Sequence, residues 1–422
     1  MLRDEDAVVR ELAPSEQRFV RHGTYTGRSV AVAGELDVAA LKEAFAALQM
    51  AFPVVLCRIG EDEEGTGYLL RPGDSPIEAS VTEGDVETVG LPATPVDPGT
   101  QLAYLDAVVS GADRWRVTLF AHHSIADAGH CVELLSRFWG CYTDIVESTP
   151  ISVVPQEYPQ PLEWHAAKRG IVAGSVSGFE AVTKPLPTAT PAVPVGDPAP
   201  SSLARPERIR FDEATTARIV ALGHRRGVSV NGLITAALLR AYASETPDAT
   251  GGPVSLGCLY PVDMRSRLDP RVAPAEGTNM AGLASFAAAI DPAESVLELA
   301  QRISERLSTD LAEGIVQQSV LHFPDFYGPT RIHSLAGHIA ITNTGAVPRF
   351  RTPAALTLTD YEIVYLSAHP KPSTGASAAI TFLVYTFHSQ LAVGLLGGGT
   401  STNKLLTAVH KELTALSAEE IE

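Results

Sequence analysis

Phe120-Ala121-His122-His123-Ser124-Ile125-Ala126-Asp127 closes an apolar run with two adjacent histidines and sets a carboxylate four residues after the second. Alternation along this run puts Trp115, Val117, Leu119, Ala121 and His123 on one face of a strand, and Thr118, Phe120 and His122 on the other. His123 thus continues a mostly apolar row, while His122 points the opposite way and reads as a structural histidine at a sheet edge. Imidazole exchanges a proton near neutral pH, so a histidine at a strand end is a candidate general base. Asp127 precedes Val132, Leu135, Phe138 and Trp139, an amphipathic helical stripe expected to break near Gly140. Asp127 is a candidate N-cap of that helix, an organiser of His123, or the second member of a catalytic dyad. Its expected partner is Arg265, in Tyr260-Pro261-Val262-Asp263-Met264-Arg265. A well hydrogen-bonded Asp–Arg pair would lock the turn that aims His123. A metal held by His122, His123 and Asp127 is the competing reading. Neighbouring strand side chains face apart, so no metal is expected.

Working outward, Leu102 to Val109 and Trp115 to Ala121 flank Ser110-Gly111-Ala112-Asp113, a hairpin signal. Upstream, Ser29 to Ala33 reads as a strand that Gly34 breaks. Asp37 then caps a helix with the stripe Leu41, Phe45 and Leu48, ended by Phe52-Pro53, and Val54 to Ile59 is expected to return as a strand. Downstream, Asp212 starts a helix to about Gly223, and Ser229 starts a second, very apolar one. Val254 to Tyr260, His338 to Thr342, Ile380 to Phe387 and Leu391 to Leu395 read as short strands. Gly397-Gly398-Gly399 breaks the chain before a last helix, from about Asn403 to Leu416. Strands and helices mix without strict alternation, which predicts an α+β class rather than a dinucleotide-binding domain. Prolines crowd 184–206, where neither a helix nor a central strand can form. That linker divides the chain into a domain at 1–183, which carries the histidines, and a domain at 207–422.

A chain of 422 residues exceeds one ordinary core, which also predicts two domains. The formal charge of −17 argues against nucleic acid as the main partner and against adhesion to anionic membranes. An acidic carrier protein would need a local basic patch, for which Arg225-Arg226 and Arg349-Phe350-Arg351 are candidates beside the plainer reading of solvated turns. Cys57, Cys131, Cys141 and Cys258 show neither Cys-x-x-Cys nor zinc-finger spacing and read as buried, reduced thiols. The charged start Met1-Leu2-Arg3-Asp4-Glu5-Asp6 lacks the apolar region of a signal peptide, and no apolar run reaches a membrane-spanning length. The expectation is a soluble, cytoplasmic monomer.

His122-His123-Ser124-Ile125-Ala126-Asp127 resembles the HHxxxD signature of the thioester-dependent acyltransferase superfamily. That superfamily includes chloramphenicol acetyltransferase, the carnitine and plant BAHD acyltransferases and peptide-synthetase condensation domains. Tyr260 to Arg265, Val272-Ala273-Pro274, Thr278-Asn279, and Ile315-Val316-Gln317-Gln318-Ser319 with Leu321-His322-Phe323 look like its polyketide-associated branch. The phthiocerol/phthiodiolone dimycocerosyl transferases typify that branch. The likeness spans both halves. It implies two similar chloramphenicol-acetyltransferase-like domains with a tunnel between them, His123 midway along it, and no acyl-enzyme. Many members have Gly directly after the motif Asp; here Ala128 intervenes before Gly129, and the plant-type Asp-Phe-Gly-Trp-Gly motif is absent. Thr342, Asn343 and Thr344 sit where the family often has a polar strand end, which makes them candidate oxyanion or tunnel contacts. Ordinary turn chemistry before Gly345 is the equal alternative. Gln318, with Gln317 and His322, is a weaker candidate contact.

The resemblance implies an O-acyltransferase with His123 as base and Asp127 and Arg265 in support. The co-substrate would be acyl-CoA, most simply acetyl-CoA, or an acyl carrier protein thioester, and no cofactor would be tightly bound. The acceptor would be a hydroxyl of a polyketide or lipid-like product, in a lipid-esterifying or a rifamycin-type acetylating role. An amide-forming, condensation-type enzyme and a non-catalytic binding module of the same fold are the alternatives.

Overall fold

Among the described residues, largely apolar strands, buried on both faces, build two six-stranded sheets, each covered by helices, and one small three-stranded sheet. The computed structural model describes residues 7–183, 199–246, 252–327, 339–371, 380–397 and 399–418. The first sheet runs in the order Ser80–Glu83, Ala103–Ser110, Arg114–His122, Thr24–Ala33, Thr357–Ser367, Ser202–Ala204. Only its first pair is parallel. The second sheet runs Ala281–Ile290, Val254–Asp263, Ile339–Ala346, Ile380–Phe387, Gln390–Gly397, Glu207–Arg210, with parallel pairs on either side of Ile339–Ala346. Val8–Glu11, Gly67–Leu70 and Arg58–Glu61 form the third. This mixed architecture with two comparable sheets is the class the sequence predicts.

The strand Thr357–Ser367 comes from the later part of the chain yet pairs along its length with Thr24–Ala33, in the sheet that carries the histidines. Leu358, Tyr361 and Ile363 accordingly pack into the core of the earlier half, with Leu41, Phe45, Val117 and Leu135. Of the proline-rich stretch, 184–198 lies outside the described residues. From Ala199 the chain runs along the edge of the first sheet, where the Ala199 amide donates to Pro370 O (2.8 Å) and Ser202–Ala204 pairs with Thr357–Ser367.

Helix starts follow their caps. Asp37, Asp127, Asp212 and Ser229 each accept from the backbone amide three residues on. Two expectations are corrected. Val54 to Ile59 is not one strand: Pro53, with φ fixed, opens a 3-10 turn over Pro53–Leu56, and pairing begins only at Arg58–Glu61. The helix after Asp127 runs unbroken as Ala128–Val146, because its apolar stripe is packed on both sides of Gly140. His338, the expected start of a strand, lies outside the described residues; the strand is Ile339–Ala346. All four cysteines are buried and free. No helix among the described residues is long and apolar enough to cross a membrane.

Candidate active site

At the end of Arg114–His122 the alternation holds. His122 is sealed against Tyr25, edge to face at 4.9 Å, and its Nδ1 accepts from the Ser124 amide (3.3 Å). His123 turns to the other face. Its amide donates to Thr24 O (2.8 Å), which holds the strand end to its neighbour. Its ring lies flat on Phe19, with centroids 3.9 Å apart and planes 6° apart, and Tyr365 sits 6.1 Å off the ring. The Arg18 guanidinium lies 4.7 Å from the Phe19 centroid, so the imidazole is one layer of a clamped stack.

The turn beyond His123 is fastened to both halves of the chain by hydrogen bonds. Asn279 Nδ2 donates to both His123 O (2.7 Å) and Ser124 O (3.1 Å). Ser124 Oγ donates to Glu16 O (2.8 Å), and the Asp127 amide donates to Thr278 O (3.0 Å). Thr278 Oγ1 in turn donates to the buried Glu16 carboxylate (2.6 Å), which Arg10 also grips.

Asp127 and Arg265 meet as the sequence predicts, at 2.8 Å. Asp127 Oδ1 also accepts from the His130 amide (3.0 Å), which caps the helix, and Oδ2 from the Met280 amide (2.9 Å). Arg265 Nη2 donates to Gly277 O (3.0 Å). Burial pushes the Asp127 carboxyl up, but Arg265 and the two amides outweigh it and hold it below the usual carboxylate range. Its oxygens are thus spent on the turn and on the other half of the chain. The N-cap and Arg-partner readings hold together, and the carboxylate makes no hydrogen bond to the His123 ring.

His123 opens on a cavity of about 460 Å³ lined from both halves of the chain. Thr24, Arg28 and Tyr365 come from the first sheet, and Leu259, Ala340 and Thr342 from the second. His123 Nδ1 is buried, so Nε2 is the ring nitrogen a substrate can reach. Burial, together with the charges of Arg18 and Arg28, pushes the imidazole down to about 4, and its own carbonyl and Asp127 only partly oppose this. The ring is therefore neutral at physiological pH and able to accept a proton.

Thr342, Asn343 and Thr344 also line the cavity. Asn343 is tied down: Nδ2 donates to Asn231 Oδ1 (3.1 Å) and Oδ1 accepts from the Gly345 amide (2.9 Å). Gly345 has φ +72°, so the turn reading is realised within the strand, at a register break. Gln318 is not among the residues lining this cavity: its Oε1 accepts from the Gly174 amide and its Nε2 donates to Val176 O (2.7 Å). Gln317 bonds Leu311 O and His322 bonds Gln318, so neither reaches the cavity. Among the described residues, no group of three or more His, Cys, Asp or Glu is arranged to hold a metal ion.

Sequence reasoning missed Arg18, Phe19, Arg28 and Tyr365. Phe19 and Tyr365 reach His123 through long-range packing. Arg28 carried a readable signal: it shares the strand face of Thr24, Thr26, Val30 and Val32, where a cation is out of place.

Residues 200–396 match the family described as phthiocerol/phthiodiolone dimycocerosyl transferase C-terminus. The chain is 32% identical over 384 residues to the phthiocerol/phthiodiolone dimycocerosyl transferase of Mycobacterium leprae, covering 84% of this chain and 86% of that protein. Among solved structures it is similar to polyketide synthase associated protein 5 from Mycobacterium tuberculosis, with a TM-score of 0.80, 27% identity, and 98% and 99% of the two chains covered. The first condensation domain of the calcium-dependent antibiotic synthetase shares the fold, with a TM-score of 0.65 at 16% identity over 99% of this chain and 100% of that one.

Proposed function

Because the chain belongs to the family of phthiocerol/phthiodiolone dimycocerosyl transferases and is thus an acyltransferase, we propose that it esterifies a hydroxyl of a polyketide or lipid-like acceptor. The acyl group, acetyl in the simplest case, comes from a coenzyme A or carrier-protein thioester. One observation carries this reading: a neutral imidazole, clamped at a strand end, opens on a cavity that both halves of the chain line.

His123 is the general base. Its Nε2 takes the proton of the acceptor hydroxyl as the oxygen attacks the thioester carbonyl. The tetrahedral adduct collapses, the C–S bond breaks, and the thiolate recovers the proton from Nε2. The ester and a free thiol leave, the ring returns to its starting state, and no acyl-enzyme forms. Base help of this kind is worth about 10²–10⁴ in rate. The low proton affinity of the resting ring rises during attack, because the developing oxyanion offsets the nearby guanidinium charges. The Thr342 hydroxyl is the donor proposed for that oxyanion, with the Asn343 amide, already tied to Asn231, second. Asp127 and Arg265 are positioning residues: they fix the turn, and the turn fixes the ring.

The test is incubation with acetyl-CoA and a panel of matched alcohols and amines, with products read by mass spectrometry. Ester products support the reading. Amides alone would favour condensation-type chemistry, and no product from any pair would overturn both.

A further inference from the structure

Arg28 sits in the middle of Thr24–Ala33 and is 2% exposed. Its Nη1 donates to Thr26 Oγ1 (2.6 Å), and its Nε has no partner. The groups that face it are the Tyr361 and Tyr365 phenols, the Cys131 thiol and, further off, Asp127. Asp127 is already matched by Arg265, and the buried Tyr361 hydroxyl is itself unpartnered. Among the described residues, no carboxylate forms an ion pair with Arg28. A buried guanidinium with spare donors costs stability unless something pairs with it. Yet this one lines the same cavity as His123, within a chain of formal charge −17.

Resting on the acyltransferase reading of that cavity, we propose that Arg28 anchors an oxygen acceptor, a carboxylate or ketone carbonyl, on the substrate portion deep in the cavity. The strand sets the distance. Thr24 lies level with His123, and Thr26 and Arg28 follow on the same face. The bond to Thr26 bends the guanidinium back toward the base, to roughly 7 Å along the strand from Thr24 at about 3.4 Å per residue. That span fits an oxygen some five or six bonds from the reacting carbonyl or hydroxyl. A plain alkyl chain would leave the cation unpaired, so the site selects against it. The oxygen belongs either to the acyl chain or to the acceptor.

Two sets of equal-length probes separate these sources. The first compares adipyl-CoA and 5-oxohexanoyl-CoA with hexanoyl-CoA. The second compares 5-hydroxypentanoate and 5-hydroxypentan-2-one with 1-pentanol, using acetyl-CoA as donor. Wild type should favour an oxygen-bearing member over its hydrocarbon counterpart by about tenfold or more in kcat/KM, in one set. Arg28→Leu should bring that ratio to about one, and Arg28→Lys, which keeps the charge without the fork, should fall between. A wild-type ratio near one in both sets overturns the proposal without any variant. So does a folded Arg28→Leu protein, checked by thermal melting, that keeps the wild-type ratio. If no thioester is turned over at all, the acyltransferase reading fails separately. The anchor is then judged by calorimetric binding of 5-hydroxypentanoate against 1-pentanol to wild type, and equal affinities reject it.

Discussion

In the proposed reaction, the side chains around His123 divide into those that would touch the reacting atoms and those that hold the turn. Asp127 is the sharpest case, because its carboxylate and its amide serve the helix start, the turn and the junction between halves. Removing it leaves a buried Arg265 with the Gly277 carbonyl and a single carboxylate, the exposed Asp263. Asp127→Ala should therefore lose about 3–5 kcal/mol in urea unfolding, and adding Arg265→Met should recover part of it. A loss below about 1 kcal/mol would show that the pair is not what fastens the turn. His123 gives a pH prediction. With its imidazole at about 4, it stays neutral well below pH 7, so kcat/KM should show no acid limb between pH 8 and about 5.5. A limb centred near 6.5 would mean that the ring titrates as if in water. The facing of His123 and the helix cap at Asp127 were legible because strand alternation and capping are local, whereas Arg265 meets Asp127 from 138 residues further along the chain. The clamp by Arg18, Phe19 and Tyr365 was not, since only the fold brings those segments together.

Elements were legible where a cap or a period marks them, and less so where packing overrides a local signal. The helix Ala128–Val146 passes through Gly140 because residues on either side bury into the same core. A Cβ at Gly140 would meet nothing within 4 Å, so Gly140→Ala should stabilise the protein by about 0.5–1 kcal/mol in urea melts. Destabilisation there would mean that the helix needs a flexible point. Thr357–Ser367 escaped sequence reading because Asp360 and Glu362 interrupt its apolar pattern. Those charges meet Arg208 and Arg205 across the junction, an arrangement that alternation cannot announce.

At the scale of the molecule, the two halves are interleaved rather than merely adjoined. Thr357–Ser367 completes the histidine sheet, and Arg265, Thr278 and Asn279 brace the turn that follows His123. The site therefore exists only in the assembled chain. Three buried histidines sit at its centre: burial pushes His122 down to about 3, and His123 and His130 to about 4. Between those values and the unfolded value near 6.5, the unfolded chain binds more protons than the native one. Their contribution to stability is thus full above about pH 6.5 and shrinks as pH falls toward 4. Glu163, pushed up to about 7 by burial, works in the opposite sense between about 4.5 and 7 and only partly cancels them. Unfolding free energy should therefore drop from pH 7 to pH 5, and a flat or rising profile would contradict the desolvation of these rings. The most direct test of the whole account is kcat/KM for His123→Ala against wild type on one thioester–alcohol pair, with thermal melts run alongside. The account predicts a fall of about 10²–10⁴ with the melting temperature kept or raised. Near-normal turnover by a folded His123→Ala protein would contradict it.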